Sequence, residues 1–345
     1  MKEKTVRISI AGFGHVGGGV AEIVRQKREE IARIHGINIK IVGIADLRGV
    51  IVDENGLSED AILKLKREKR KRKGEEAEDI YVDTNTTGMT TLEMIREVEH
   101  EIMVEATPTN IVDGEPGLSH IITALESGRH VVTSNKGPMA LESTRLIELA
   151  AKKGKELRFG STVGGATPII SLIRENLAGN RIISVKGILN GTCNYILTRM
   201  TEEGLPYEHV LKEAQELGIA EADPSKDVSG IDTALKLVIL ANFVFGLNAS
   251  YKDVEVVGIE EITLDALKLA DDAGYVIKLI GAVDQEGDLS VRQRLVPKEN
   301  PLNVGGTLNV ATIRTDLAGD ITIVGKGAGP IETASAVISD IISIG

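Results

Sequence analysis

The stretch EADPSKDVSGIDTALKL, residues 221–237, brings four carboxylates and two lysines to the start of an apolar segment. From Thr233 the chain reads TALKLVILANFVFG, in which Leu235, Leu237, Val238, Ile239, Leu240, Phe243, Val244 and Phe245 leave no polar face. That pattern predicts a helix buried on all sides, with Lys236 as its only charge. An ammonium taken out of water needs a partner, and Asp232 lies one helical turn earlier on the same face. Two readings follow. Ser229-Gly230-Ile231-Asp232 has the form of a capping box with Ser229 as N-cap, which makes Asp232 and Lys236 a structural pair. Alternatively, a desolvated lysine is suited to general acid–base chemistry.

A second constellation lies near the start of the chain. ISIAGFGHVGGG places Gly12, Gly14 and Gly17 in G-x-G-x-x-G, after a predicted strand and opening a predicted helix. The first glycine suits a tight turn, the second lets backbone approach a pyrophosphate, and the third lets helix pack on strand. The helix start, at His15 and Val16, then offers N–H donors and the positive end of its dipole to phosphates. Asp46, closing IVGIAD, stands where a carboxylate accepts a ribose 2′-OH, which argues for NAD(H). Arg48 and the basic run KLKREKRKRKGEEAED, residues 64–79, argue instead for a 2′-phosphate. The balance of charge favours NADP(H) and leaves NAD(H) open. The same run also reads as a solvated helix end.

Further along, VEATPTN puts Thr107 at the end of a strand, and TSNKGPMA puts Lys136 just past the next one. Open α/β sheets bind ligands beyond the carboxyl ends of their strands, so both residues are expected to face the nicotinamide. STVGGATPII and LNGTCNYIL are turns running into helices. Their exposed backbone groups suit a small polar substrate or a hard cation held by carbonyls, and Thr167 and Asn190 or Thr192 suit N-caps.

These residues need a scaffold. With 345 residues, the chain is long enough for two domains with cores of their own. The strands VRISIA, IKIVGIA, EIMVEAT and HVVTS alternate with predicted helices at 16–33, 90–99, 116–127 and 139–152, which is βαβ rhythm and implies a parallel, Rossmann-type sheet. After about residue 160 two helices are predicted, at 167–178 and 191–217, followed by the apolar helix. YVIKLIGAVD, LSVRQRLV, NVATIRTD and ITIVG then alternate as a mostly antiparallel sheet should. The expected fold is therefore α/β: a dinucleotide-binding domain over 1–140 and an α+β substrate and dimerisation domain over 141–329. The helix at 330–345 is expected to pack back on the first.

A net charge of −11 argues against nucleic acid or an anionic membrane as partner, and no apolar run reaches the roughly 18 residues of a membrane span. The N-terminus enters a strand with no signal-peptide core, so a cytoplasmic location is expected. The single cysteine, Cys193, forms no intrachain disulfide, and no His/Cys cluster has zinc spacing.

GxGxxG, SNK, TVGGATPII, NGTCNYIL, GIAEADPSKDVSGIDTALK and GKGAGPIETASAVISDI, in that order over nearly the whole chain, resemble homoserine dehydrogenase in its short form without a regulatory domain. The resemblance implies reversible, NAD(P)H-dependent reduction of L-aspartate 4-semialdehyde to L-homoserine, in the biosynthesis of threonine, methionine and isoleucine. It places the substrate-binding acids on Glu221 and Asp232, with Asp227 nearby, the proton-transferring lysine on Lys236 and a second active-site lysine on Lys136. Glu221, Gly218 and Gly327 fall beside the cofactor. It also implies a homodimer formed through the second domain. Relatives that bind sodium carry a Glu where this chain has Gly160, so any ion would rest on backbone oxygens of Val163, Gly165 and Thr167.

Two other functions fit parts of the pattern. A phosphorylating aspartate-semialdehyde dehydrogenase would share the nucleotide domain and need a nucleophilic thiolate, for which Cys193 is the only candidate. A nucleotide-sensing protein without turnover would leave the lysines and acids unexplained.

Overall fold

The computed structural model describes residues 3–47, 49–71 and 87–345, so Arg48 and the basic run beyond Lys71 lie outside the described residues. The chain divides into two units, Met1–Phe159 with Thr333–Gly345, and Gly160–Glu332. The helix Lys136–Lys153 is kinked at Glu142, where the backbone leaves helical geometry (φ −136°, ψ 21°), and it leads to the strand Leu157–Arg158 of the first unit's sheet.

That sheet holds six strands: β1 (Lys4–Ala11), β2 (Ile37–Asp46), β3 (Gly49–Val52), β4 (Ile102–Glu105), β5 (His130–Thr133) and β6 (Leu157–Arg158). Their order is β3-β2-β1-β4-β5-β6, parallel throughout except for the β2–β3 pair. The order reverses between β1 and β4, which is where open α/β sheets hold ligands. Val6, Ile8 and Ile10 of β1 are almost wholly buried, as expected of a strand covered on both faces. They share a core with Val20 and Val24 of the helix His15–His35. The C-terminal helix adds Ala334, Val337, Ile338 and Ile341 to the same core. Each buried Val or Ile contributes about 1.5–3 kcal/mol relative to exposure, so the terminal helix is an integral layer of this unit.

The second unit's sheet runs β12-β11-β7-β9-β10-β8, with β7 (Ile182–Ile188), β8 (Glu255–Val256), β9 (Tyr275–Asp284), β10 (Leu289–Pro297), β11 (Leu308–Thr315) and β12 (Asp320–Lys326). All pairs are antiparallel except β8 with β10. The strand β7 was not expected from sequence. Gly187 interrupts its run, and the reason is packing: a Cβ there would overlap the Val310 carbonyl oxygen of β11.

Three expected helices differ. The segment 191–217 is two helices, Gly191–Glu203 and Tyr207–Glu216, because Gly204 takes a left-handed conformation (φ 66°) and Pro206 follows it. Residues 167–178 form one short turn, Ile169–Ser171, continued by the π-helical turn Leu172–Asn176. The apolar helix spans Ile231–Leu240, with Asp232 through Leu240 all buried, and continues as a π-helical turn at Ala241–Phe245. Its N-cap is Gly230 in a left-handed conformation (φ 86°), so the capping box expected at Ser229 is absent. The Ser229 hydroxyl has no hydrogen-bond partner among the described residues.

Candidate active site

In the first unit, the chain leaves β1 through a turn that only glycines permit. Gly12 has φ +93°, and a Cβ on it would lie 2.5 Å from the Ala106 backbone carbon. A Cβ on Gly17 would overlap the Gly12 carbonyl oxygen. At Gly14, by contrast, nothing lies within 4 Å of the Cβ direction, so its backbone faces open space. The helix His15–His35 starts there with no side-chain cap and no acid in its first turn. Its orphan N–H groups and its positive dipole end are thus left for an anion, which fits a dinucleotide pyrophosphate. Asp46, the last residue of β2, follows Ala45, whose carbonyl accepts the Gly12 N–H at 2.9 Å, so the acid sits beside the glycine turn.

Beyond β4 lies a buried polar network built on Glu105, which is wholly inaccessible. Its Oε1 accepts the Thr107 N–H at 2.8 Å and the Thr107 hydroxyl. Its Oε2 lies 2.7 Å from His120 Nδ1. The Asn135 amide reaches Thr107 Oγ1 at 3.1 Å and caps the next helix through the Gly137 N–H at 3.0 Å. Lys136 is the first residue of that helix, half-buried. Thr107 therefore stands two residues past the strand end, in a turn fixed by Glu105. The signal for this network was Glu105, the one acid in the otherwise apolar strand Ile102–Glu105.

In the second unit, Lys236 is buried with its ammonium 2.7 Å from Asp232 Oδ2 and 2.5 Å from the Leu189 carbonyl. Asn190 joins this pair to Asp227: its Nδ2 donates to Asp227 Oδ1 at 2.7 Å and to Asp232 Oδ2 at 3.0 Å. Asn190 Oδ1 accepts the Cys193 N–H at 2.9 Å, as the expected N-cap of the helix Gly191–Glu203. Asp227, Asp232 and Lys236 are thus brought together, by an asparagine whose sequence suggested only a cap and by a main-chain carbonyl that no side-chain pattern reveals.

Cys193 is fully buried, and its thiol donates to the Asp227 carbonyl at 3.1 Å. Burial and then the charges of Asp227 and Asp232 push that thiol well above its ordinary value, the opposite of what a nucleophilic thiolate requires.

Glu221 is exposed and its carbonyl accepts from Gln215 Nε2 at 3.3 Å. Gly218, exposed, has φ +71°, a conformation that favours glycine. Gly327 packs so closely on the Asn309 amide that no Cβ would fit. Val163 and Thr167 are buried, and the Thr167 hydroxyl has no hydrogen-bond partner among the described residues, so it does not act as an N-cap. Among the described residues no group of His, Cys, Asp and Glu is arranged to hold a metal ion, and no helix is long and apolar enough to cross a membrane.

Two family models cover the chain: one for the NAD-binding domain of homoserine dehydrogenase at residues 12–160, and one for homoserine dehydrogenase at 168–342. A homoserine dehydrogenase of Methanocaldococcus jannaschii is 48% identical over 98% of this chain and 98% of its own. An NAD(+)-dependent homoserine dehydrogenase of Pseudomonas canavaninivorans is 37% identical over 98% and 96%. A hyperthermophilic archaeal homoserine dehydrogenase, solved in complex with NADPH, superposes with a TM-score of 0.82 at 33% identity, covering 99% of this chain and 98% of that one. With the glycine turn, the two-unit fold and both domain models in agreement, the chain belongs to the homoserine dehydrogenase family.

Proposed function

We propose that the chain interconverts L-aspartate 4-semialdehyde and L-homoserine with a nicotinamide dinucleotide, and that Lys236 is its general acid and base. The observation that carries the assignment of Lys236 is its ammonium inside an apolar helix, with two of its three N–H groups taken by Asp232 and Leu189. One N–H is left for a substrate oxygen. When bound, the reduced nicotinamide supplies a hydride to the aldehyde carbon. Lys236 gives the proton that the resulting alkoxide oxygen needs. Asp232 orients Lys236 and, with Glu221 and Asp227, meets the substrate ammonium. In the oxidising direction the same amine must be neutral to take the hydroxyl proton, so homoserine oxidation is favoured by alkaline pH. Lys136, at the capped start of its helix, shares proton transfer. The test is Lys236→Ala, which should lose roughly two or more decades of turnover while still binding coenzyme. Turnover near that of the wild type would return Lys236 to a purely structural pair.

In the first unit, Gly12, Gly14, Gly17 and the N–H groups of His15 and Val16 would hold the pyrophosphate and Asp46 the adenosine ribose, with Thr107 near the nicotinamide. Gly218, Glu221 and Gly327 are assigned to the cofactor by motif alone. Arg48 and the lysines after residue 63 favour NADP(H) over NAD(H). Gly160 leaves the loop at 160–167 without a carboxylate, so a sodium ion would rest on the backbone of Val163, Gly165 and Thr167, and no step is routed through it. A homodimer through the second unit is supported by apolar surface at Leu295, Leu317 and Val324, and by β12, which ends its sheet. Net acidity argues against nucleic acid or an anionic membrane surface and supports a small-molecule partner.

A further inference from the structure

We infer that Asn190 is a positioning residue of the reaction, whose amide holds Asp227 and Asp232 in one frame and so fixes the oxygen to which Lys236 is bound. The inference rests on the role proposed for Lys236. Two ionised carboxylates are acceptors only and cannot bond to each other, so acids brought close together need a donor between them. The Asn190 Nδ2 provides two N–H groups and directs one to each acid, at 2.7 Å and 3.0 Å. The oxygen it contacts on Asp232 is the same Oδ2 that accepts from Lys236.

The amide can face only one way, because its Oδ1 is occupied by the Cys193 N–H of the helix it caps. A neutral donor has a further consequence. An arginine or lysine here would compete with Lys236 for Asp232, and with a substrate ammonium for both acids, whereas an amide ties the acids together and leaves their charge in place. The preceding residue completes the frame, since the Leu189 carbonyl is the second acceptor of the Lys236 ammonium. Leu189-Asn190 therefore anchors the lysine, spans the acids and starts the helix.

Capping and positioning make different demands on the side chain. Asn, Asp and Ser cap helices about equally well, but only Asn places two donors between the carboxylates. Among the described residues, the charged and titratable groups around Asn190 are Asp227, Asp232 and Lys236, with the buried Cys193 thiol and, beside that thiol, Glu260 and the Tyr207 phenol. In Asn190→Asp a third carboxyl joins the two acids. As pH is lowered one of the three takes a proton, and its O–H restores a donor to the cluster.

The experiment measures kcat/KM for homoserine oxidation across pH in Asn190→Ser and Asn190→Asp, with melting temperature and coenzyme dissociation constant as controls on the fold. Loss of hydrogen bonds to charged groups should lower kcat/KM in Asn190→Ser by roughly ten- to a hundredfold at every pH, with both controls little changed. Asn190→Asp should be impaired at least as much at alkaline pH and should approach the wild type as pH falls. Wild-type kcat/KM in Asn190→Ser, or an Asn190→Asp variant impaired by one constant factor at all pH values, would overturn the inference. So would losses matched by a fall in melting temperature and coenzyme affinity. Lys236→Ala in the same assay separates the two levels: if it retains turnover, the role of Lys236 fails, and if it alone is inactive, only the role of Asn190 fails.

Discussion

The Lys236 ammonium lies 2.7 Å from the Asp232 carboxylate, with both side chains on one turn of a buried helix. Lys278 on β9 is as deeply buried, yet it is held by the Asn194 and Thr198 side-chain oxygens and the Val304 carbonyl, all neutral acceptors. The two lysines therefore carry different costs, and the difference is measurable.

Burial pushes Lys278 down from 10.5 to about 8. With the folded value below the unfolded one, the unfolded chain holds the proton more tightly between these two pH values. Stability of the second unit is therefore reduced by the buried charge below about pH 8 and regained as pH rises towards 10.5, by roughly 3 kcal/mol in all. Lys278→Met should remove this alkaline gain. Chemical denaturation at several pH values reads it as a slope, and an unchanged slope in Lys278→Met would contradict the assignment.

Cys193→Ser should keep most of the activity. The thiol is buried, pushed up by its surroundings and engaged as a donor to the Asp227 carbonyl, a role a hydroxyl can fill. Steady-state turnover of the folded variant checks it. An inactive, folded Cys193→Ser protein would revive a thiolate mechanism.

The coenzyme preference sets Asp46 against Arg48. A carboxylate favours a ribose 2′-OH and repels a 2′-phosphate, while a guanidinium can grip that phosphate by two parallel hydrogen bonds. We expect NADP(H) to bind more tightly than NAD(H), the preference to rest on Arg48, and high salt to weaken it as exposed charges are screened. Tighter binding need not give faster turnover where product release limits the rate. Dissociation constants for both coenzymes at low and high salt, in wild type and Arg48→Ala, test this. Tighter binding of NAD(H), or a preference indifferent to Arg48, would leave Asp46 as the deciding residue.

How much of this was legible in sequence depended on whether the signal was local. The glycine turn and the buried lysine were readable because each follows from the spacing of side chains within one element. β7 was hidden because Gly187 answers to a neighbouring strand that lies more than a hundred residues away. The break at Gly204 was signalled by Gly-Leu-Pro, but apolar periodicity on both sides outweighed it. Ser229 looked like a cap because the pattern fits, yet the left-handed turn at Gly230 carries the chain into the helix instead. Asn190 disclosed its cap and concealed its bridge, since Asp227 and Asp232 reach it from 37 and 42 residues along the chain. Glu105 was legible in principle as a lone acid in an apolar strand, but its partners His120 and Asn135 come from two other elements.

Hydride transfer to a free aldehyde, without a thiol ester, can be read in a single assay. Protein is mixed with NADPH and L-aspartate 4-semialdehyde in phosphate-free buffer, nicotinamide absorbance is followed, and the product is identified. NADPH should be consumed as homoserine appears in equal amount. In a parallel mixture of semialdehyde with NADP, reduction of NADP that requires added phosphate, with no NADPH consumed in the first mixture, would contradict it, as would coenzyme binding with no turnover in either direction.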